Sequence, residues 1–264
     1  MNLENEYGFC HLAVVPCRSE ASDKSEMVTQ LLYGETLEVL EKKGNWVKIR
    51  IVFDDYECWI DSKQYLPISY HTFMRCNFTM NECCFDLVQV VIDSDSHEPT
   101  PVLMGSSLPN IQGGDFSIDN KNFRFEGSVC LPSEPNKRDI IVEYAYNYLG
   151  SPYLWGGRSP FGIDCSGFVQ VVYKMSGIKL KRDANQQAEY GNTLSFVEEA
   201  QPGDLAFFDN EEGKIIHVGI VLSNQQIIHA SGKVRIDKLD HQGIFNVDTK
   251  RYSHKLRLLK SFLD

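Results

Sequence analysis

The sequence predicts an α+β fold in which all-β segments precede one mixed segment. Three observations carry this reading. Short apolar runs separated by Gly, Asn and Asp turns fill the first half of the chain. Two helical periodicities follow, between Lys137 and Met175. The last third then returns to strands.

Taken in order, Leu12–Cys17 is a short apolar run. Tyr33-Gly34-Glu35 turns the chain into Thr36–Leu40, and Lys43-Gly44-Asn45 is a tight turn feeding Trp46–Val52. There Trp46, Lys48 and Arg50 alternate with Val47, Ile49 and Ile51, as a half-exposed strand requires. Asp54-Asp55 precedes a further strand, Glu57–Ile60. Strands at this spacing predict a small β-barrel over 1–66. A second all-β segment is expected over 67–131, with Leu87–Ile92 as a buried strand and Phe123–Gly127 as an alternating one. Leu131-Pro132-Ser133-Glu134-Pro135-Asn136 reads as a linker. The mixed segment, 132–264, opens with a helix from Lys137, stopped by Gly150, and an aromatic, glycine-rich loop, Tyr153-Leu154-Trp155-Gly156-Gly157. A further short helix starts near Lys181. Strands follow at Leu205–Phe208, Ile215–Leu222 and Gln226–Ala230.

Composition bounds the function. The chain has 264 residues with 42% hydrophobic and 23% charged content, ordinary for a globular protein. A net charge of -10 opposes nucleic-acid binding, because phosphates need Lys and Arg. No apolar run reaches the length of a membrane span. The start shows no basic n-region followed by an apolar stretch, so a cytoplasmic location is expected. Eight cysteines occur, none in a Cys-x-x-Cys pair, so most are expected to be free core residues.

Cys165 is the exception. Asp164 is placed to cap a helix whose apolar positions run Phe168, Val169, Val172, Tyr173 and Met175. That puts Cys165 in the first helical turn, where unpaired N–H groups and the helix dipole favour a thiolate, the nucleophilic form. Such a nucleophile needs a base and an orienting partner. His217 and His229 lie on consecutive predicted strands. They share a face only when the two strands pair with an even register sum, for example with His229 opposite Gly219. On that condition His217 is the base and His229 fixes its tautomer. A Cys-His-His zinc site is the competing reading of the same residues.

These segments resemble known families. Tyr33-Gly34-Glu35, Gly44–Ile49 and Tyr56–Ile60 resemble bacterial SH3-like domains, and a second, divergent SH3-like domain is expected over 67–131. Gly150–Gly157, Asp164–Phe168, Arg182–Gln187, Pro202–Phe208, His217–Val221 and Ile228–Ser231 together resemble the NlpC-type family of papain-like cysteine peptidases. That resemblance implies a papain-like domain with catalytic Cys165, His217 and His229, and no cofactor or metal. With SH3-like domains in front, the chain resembles the family's γ-D-glutamyl-L-diamino-acid endopeptidases. These act on murein tri- or tetrapeptides with a free N-terminal L-alanine, in peptide recycling. The resemblance further implies that the first barrel caps the cleft with Glu26 and Tyr56, and that Tyr153 donates to the oxyanion. Asp164 and Ser166 would bind substrate main chain, and Trp155 and Asp183 would line the pocket. Ala184 departs from the Ser that many relatives carry, removing one hydroxyl. A wall-fragment binding protein without turnover, and an amidase or acyltransferase on the same fold, are the alternatives. The identity of the third substrate residue and the oligomeric state stay open.

Overall fold

The computed structural model describes residues 6–78, 80–130 and 137–263; the expected linker at 131–136 lies outside them. The front of the chain forms a seven-stranded antiparallel sheet. Its strands are β1 (Glu6–Phe9), β2 (Val14–Arg18), β3 (Met27–Leu32), β4 (Thr36–Lys43), β5 (Trp46–Ile51), β6 (Glu57–Asp61) and β7 (Leu66–Ile68), ordered β3-β2-β6-β5-β4-β1-β7. The alternation read from sequence sets its inner face: Val47, Ile49 and Ile51 of β5 are buried, and Trp46, Lys48 and Arg50 are not. A bulge in β4 between Val39 and Glu41 bends the sheet round its core.

The next segment differs from the all-β expectation by opening with a helix, α1 (Tyr70–Asn77). Ser69 caps it by accepting the Thr72 N–H at 3.2 Å, and Phe73 and Cys76 recur at helical spacing on its buried face. Seven short strands follow: β8 (Glu82–Cys84), β9 (Val88–Asp93), β10 (Pro99–Leu103), β11 (Ser107–Leu108), β12 (Asp115–Ile118), β13 (Lys121–Phe125) and β14 (Val129–Cys130). They make two small sheets, β10-β9-β13-β12 and β11-β8-β14. The run expected as a buried strand is a correction. Only Val91 of β9 is buried, and Leu87 and Val88 are exposed, because this sheet has a single covered face. The first two β segments touch closely at Gly34, whose φ is +84° and whose Cβ, if present, would lie 1.8 Å from the Ser107 carbonyl oxygen.

The final segment contains α2 (Lys137–Asn147), the small hairpin β15 (Arg158–Ser159) and β16 (Gly162–Ile163), α3 (Cys165–Met175) and α4 (Ala184–Gln187). A sheet then forms from β17 (Asn192–Leu194), β18 (Leu205–Asp209), β19 (Ile215–Leu222), β20 (Gln226–Ser231), β21 (Lys233–Asp240), β22 (Gly243–Asn246) and β23 (Arg251–Ser261). Its order is β17-β23-β18-β19-β20-β21-β22, and β22 pairs back onto β23, so the sheet curls on itself. Helix α3 packs on β19 and β20 and is buried along its whole length.

The burial of α3 includes its polar positions, because the front sheet covers the face that would otherwise meet solvent. Gln170 donates to Asp54 at 2.8 Å, and Lys174 Nζ donates to Glu35 at 2.8 Å. Glu35 also accepts two bonds from Arg158, at 2.8 and 2.9 Å, and one from the Leu32 N–H. A carboxylate of the front sheet thus holds two cations of the final segment in a buried cluster. Among the described residues no helix is long and apolar enough to cross a membrane.

Candidate active site

Helix α3 begins as its sequence dictates. Asp164 Oδ1 accepts the Gly167 N–H at 2.6 Å, which starts the helix at Cys165. The same carboxylate takes the Gly156 N–H at 2.9 Å and a two-pronged bond from Arg182 at 2.5 and 3.0 Å. Ser166 Oγ accepts from Arg182 at 2.9 Å. The side chains of Asp164 and Ser166, assigned by resemblance to substrate main chain, therefore spend their hydrogen bonds on building the nucleophile turn.

Main-chain N–H groups of Val218 and Ser166 point at the Cys165 sulfur. They do not make it a thiolate, and here the helix-tip expectation is corrected. Burial pushes the thiol up to about 12, and the neighbouring Asp164 carboxylate pushes the same way, outweighing the N–H groups and Arg182. All eight cysteines are free and buried, including Cys165, which the sequence set apart from the core cysteines.

The two histidines share a face. β19 and β20 pair with Ile220 opposite Ile228 and Leu222 opposite Gln226, an even sum that carries Gly219 opposite His229. His217 Nε2 lies 2.9 Å from His229 Nδ1, and both rings are buried. Burial holds His217 well below the ordinary imidazole range, with His254 and His229 adding to the effect, so its ring is neutral at pH 7. A neutral thiol and a neutral imidazole can still react together, by proton transfer during attack.

Two groups beside these rings were missed. His254, on β23, stacks on His217 with centroids 4.1 Å apart and 20° between planes. Nitrogens of His217, His229 and His254 lie within 4.8 Å of one another, a spacing a metal could use. The in-plane lone pairs of two stacked rings do not converge on one point, however, and His229 Nδ1 is engaged by His217. Asp237, on β21, lies 3.1 Å from His229 Nε2. The sequence signal for Asp237 is its two-residue offset from Arg235 in an alternating run, one strand beyond His229.

A cleft of about 660 Å³ opens on this group. Glu26, Tyr56, Tyr153, Trp155, Asp164, Cys165, Ser166 and Asp183, every cleft residue expected from the sequence, line it, together with Arg182 and Ala184. His217 directly precedes Val218, whose main-chain N–H reaches the Cys165 sulfur, so the imidazole pair starts from the strand on which the nucleophile helix packs. The front sheet contributes Glu26 and Tyr56: Trp155 Nε1–H donates to Glu26 at 2.6 Å, and the Tyr56 hydroxyl bonds Asp183. Tyr153 is pushed up to about 12, first by burial and then by Cys165, so it is a protonated donor.

Comparison with known proteins agrees with this architecture. Residues 150–252 match the NlpC/P60 family, and residues 17–64 match the bacterial dipeptidyl-peptidase SH3 domain. A γ-D-glutamyl-L-lysine dipeptidyl-peptidase of Bacillus cereus is 27% identical over 79% of this chain and 68% of its own length. One of Bacillus subtilis is 29% identical over 76% of this chain and 71% of its own. The crystal structure of an NlpC/P60 family protein from Bacillus cereus superposes with a TM-score of 0.81 at 21% identity, covering 98% of this chain and 100% of that one, which shows the shared fold. The chain therefore carries a papain-like domain of the NlpC/P60 hydrolase family behind an SH3 domain of the bacterial dipeptidyl-peptidase type.

Proposed function

We propose that the protein is a cysteine peptidase that cuts the γ-D-glutamyl–L-diamino-acid bond of murein peptides bearing a free N-terminal L-alanine. The observation that carries this reading is the cleft itself. It holds a helix-start cysteine and takes one wall from the front sheet, and the strand whose Val218 N–H reaches the sulfur carries His217 of the buried imidazole pair. Its acidic lining, Glu26 and Asp183, suits a substrate ammonium, and Glu26 presents its carboxylate beside the Trp155 ring. Two curated relatives that match over more than three quarters of the chain are named γ-D-glutamyl-L-lysine dipeptidyl-peptidase, and a third is named dipeptidyl-peptidase 6.

On this reading Cys165 gives its proton to His217 as sulfur attacks the γ-glutamyl carbonyl. The oxyanion forms beside the Tyr153 hydroxyl and the N–H at the start of α3. The His217 imidazolium then protonates the departing diamino-acid amine, leaving a thioester. Water, deprotonated by His217, hydrolyses the thioester and frees L-Ala-γ-D-Glu. A requirement for a free amine restricts the enzyme to fragments already released from glycan, which is the basis for a recycling role. Mass spectrometry of products from L-Ala-γ-D-Glu-L-lysine and its diaminopimelate counterpart tests the reading. The expected products are the dipeptide and the free diamino acid, with turnover lost in Cys165→Ala. Turnover retained by that variant overturns it.

A further inference from the structure

We propose that Asp237 is a positioning residue that sets the proton pattern of the whole imidazole pair, making the base one member of a four-residue line: Cys165, His217, His229, Asp237. The inference rests on the reading of Cys165 and His217 given above.

The geometry is a chain of contacts. His217 Nε2 lies 2.9 Å from His229 Nδ1, and His229 Nε2 lies 3.1 Å from Asp237 Oδ2. Strand register builds it. β20 and β21 pair with His229 opposite Arg235, so Arg235 and, two residues on, Asp237 fall on the face of His229. Asp237 is buried and anchored on every side. Arg235 donates to both of its oxygens, at 2.7 and 3.0 Å, and the Val247 N–H donates to Oδ1 at 2.9 Å. Arg235 is itself held by Asp248 at 2.8 Å. Burial opposes ionisation of Asp237, but hydrogen bonds from His229, Arg235 and Val247 prevail and hold it at about 2, so it is a carboxylate at pH 7.

A carboxylate only accepts. His229 Nε2 must therefore carry a proton, and a ring that carries only that one proton accepts at Nδ1. His217 Nε2 must then donate to it, which leaves His217 Nδ1 as the lone pair available to the thiol. One buried carboxylate, two residues removed from the sulfur, thus decides which nitrogen of the base is basic.

The isosteric change Asp237→Asn separates this role from a packing role. An amide NH₂ in place of Oδ1 would meet two donors and no acceptor, Arg235 Nη2 and the Val247 N–H. In place of Oδ2 it meets one such donor, Arg235 Nε, and the His229 ring, which can change tautomer to accept. The NH₂ therefore turns to His229, which becomes protonated on Nδ1. His217 then accepts on Nε2 and carries its proton on Nδ1, where it cannot serve as a base. The expected result is a kcat about 10–100-fold lower with KM unchanged, a fraction of the roughly 10²–10⁴-fold that a positioned base contributes. The pH–rate profile should change shape as well. The other titratable groups near the two rings are His254, Cys165, Arg235 and Asp248, and the variant leaves all of them in place. A folded Asp237→Asn protein with wild-type kcat and pH profile overturns the proposal. Nitrogen-15 NMR of the histidine rings in the wild-type protein tests it without substrate or variant. Protons on Nε2 of both His217 and His229 support it, and a proton on Nδ1 of either neutral ring overturns it. The spectrum therefore fails or succeeds independently of the substrate assignment.

Discussion

Replacing Glu35 with glutamine tests what holds the front sheet against the catalytic segment. Glu35 is 3% exposed and accepts bonds from Arg158, Lys174 and the Leu32 N–H. Burial raises its pKa, but Arg158 and Lys174 bring it from 4.5 down to about 2. That depression corresponds to about 3 kcal/mol of stability at pH 7, at 1.36 kcal/mol per pKa unit. Because the folded pKa is the lower one, the contribution is complete above the unfolded value near 4.5 and is lost as pH falls toward 2. Glutamine keeps the shape and removes the charge, leaving two buried cations without it. Breaking a buried pair in this way costs about 3–5 kcal/mol. In a chain of this size about 3 kcal/mol lowers Tm by roughly 6–12 °C. Scanning calorimetry at pH 7 and again near pH 3 reads both effects, with the gap between wild type and variant narrower at the lower pH. A Tm for Glu35→Gln within about 2 °C of wild type at pH 7 would refute the assignment of this cluster as the clamp between segments.

Other outcomes follow from the cleft. Alkylation of Cys165 by iodoacetamide, mapped by mass spectrometry, should be slow at pH 7 and still climb above pH 9, because the thiol is held up near 12; a plateau below pH 8 would show a resting thiolate instead. Glu26→Gln should lower kcat/KM on the free-amine peptide by about 10–100-fold, the loss of one charge-assisted hydrogen bond of about 1.5–3 kcal/mol. The same variant should leave the Tm unchanged; an unaltered kcat/KM would remove Glu26 from ammonium recognition.

How much of this was readable in the chain follows from the range of each interaction. Asp164 capping a helix with Cys165 in its first turn is local chemistry spanning four residues, and it stands where the sequence put it. The alternation of Trp46–Ile51 and the stop at Gly150, with φ +87°, are equally local. The shared face of His217 and His229 could be written in advance only as a parity condition. The turn met it: Leu222 pairs with Gln226 across a three-residue connection, with Asn224 and Gln225 at positive φ, so the register sum is even. The helix α1 was missed because its two buried apolar positions are too few to stand out in a strand-rich stretch.

The sequence alone therefore determined the nucleophile turn, the class of the fold and the kinds of residue that face the cleft, since each depends on neighbours within a few positions or on recurring motifs. Tertiary structure decided the rest. Whether the sulfur rests as thiol or thiolate depends on how much water surrounds it, and the buried helix start excludes water. Glu35 meets Arg158 and Lys174 across more than a hundred residues of chain, and Asp237 reaches His229 only through strand register. Desolvation and long-range pairing are sums over parts of the chain that no local window contains. Folding brings them together and so sets the charge state of the site.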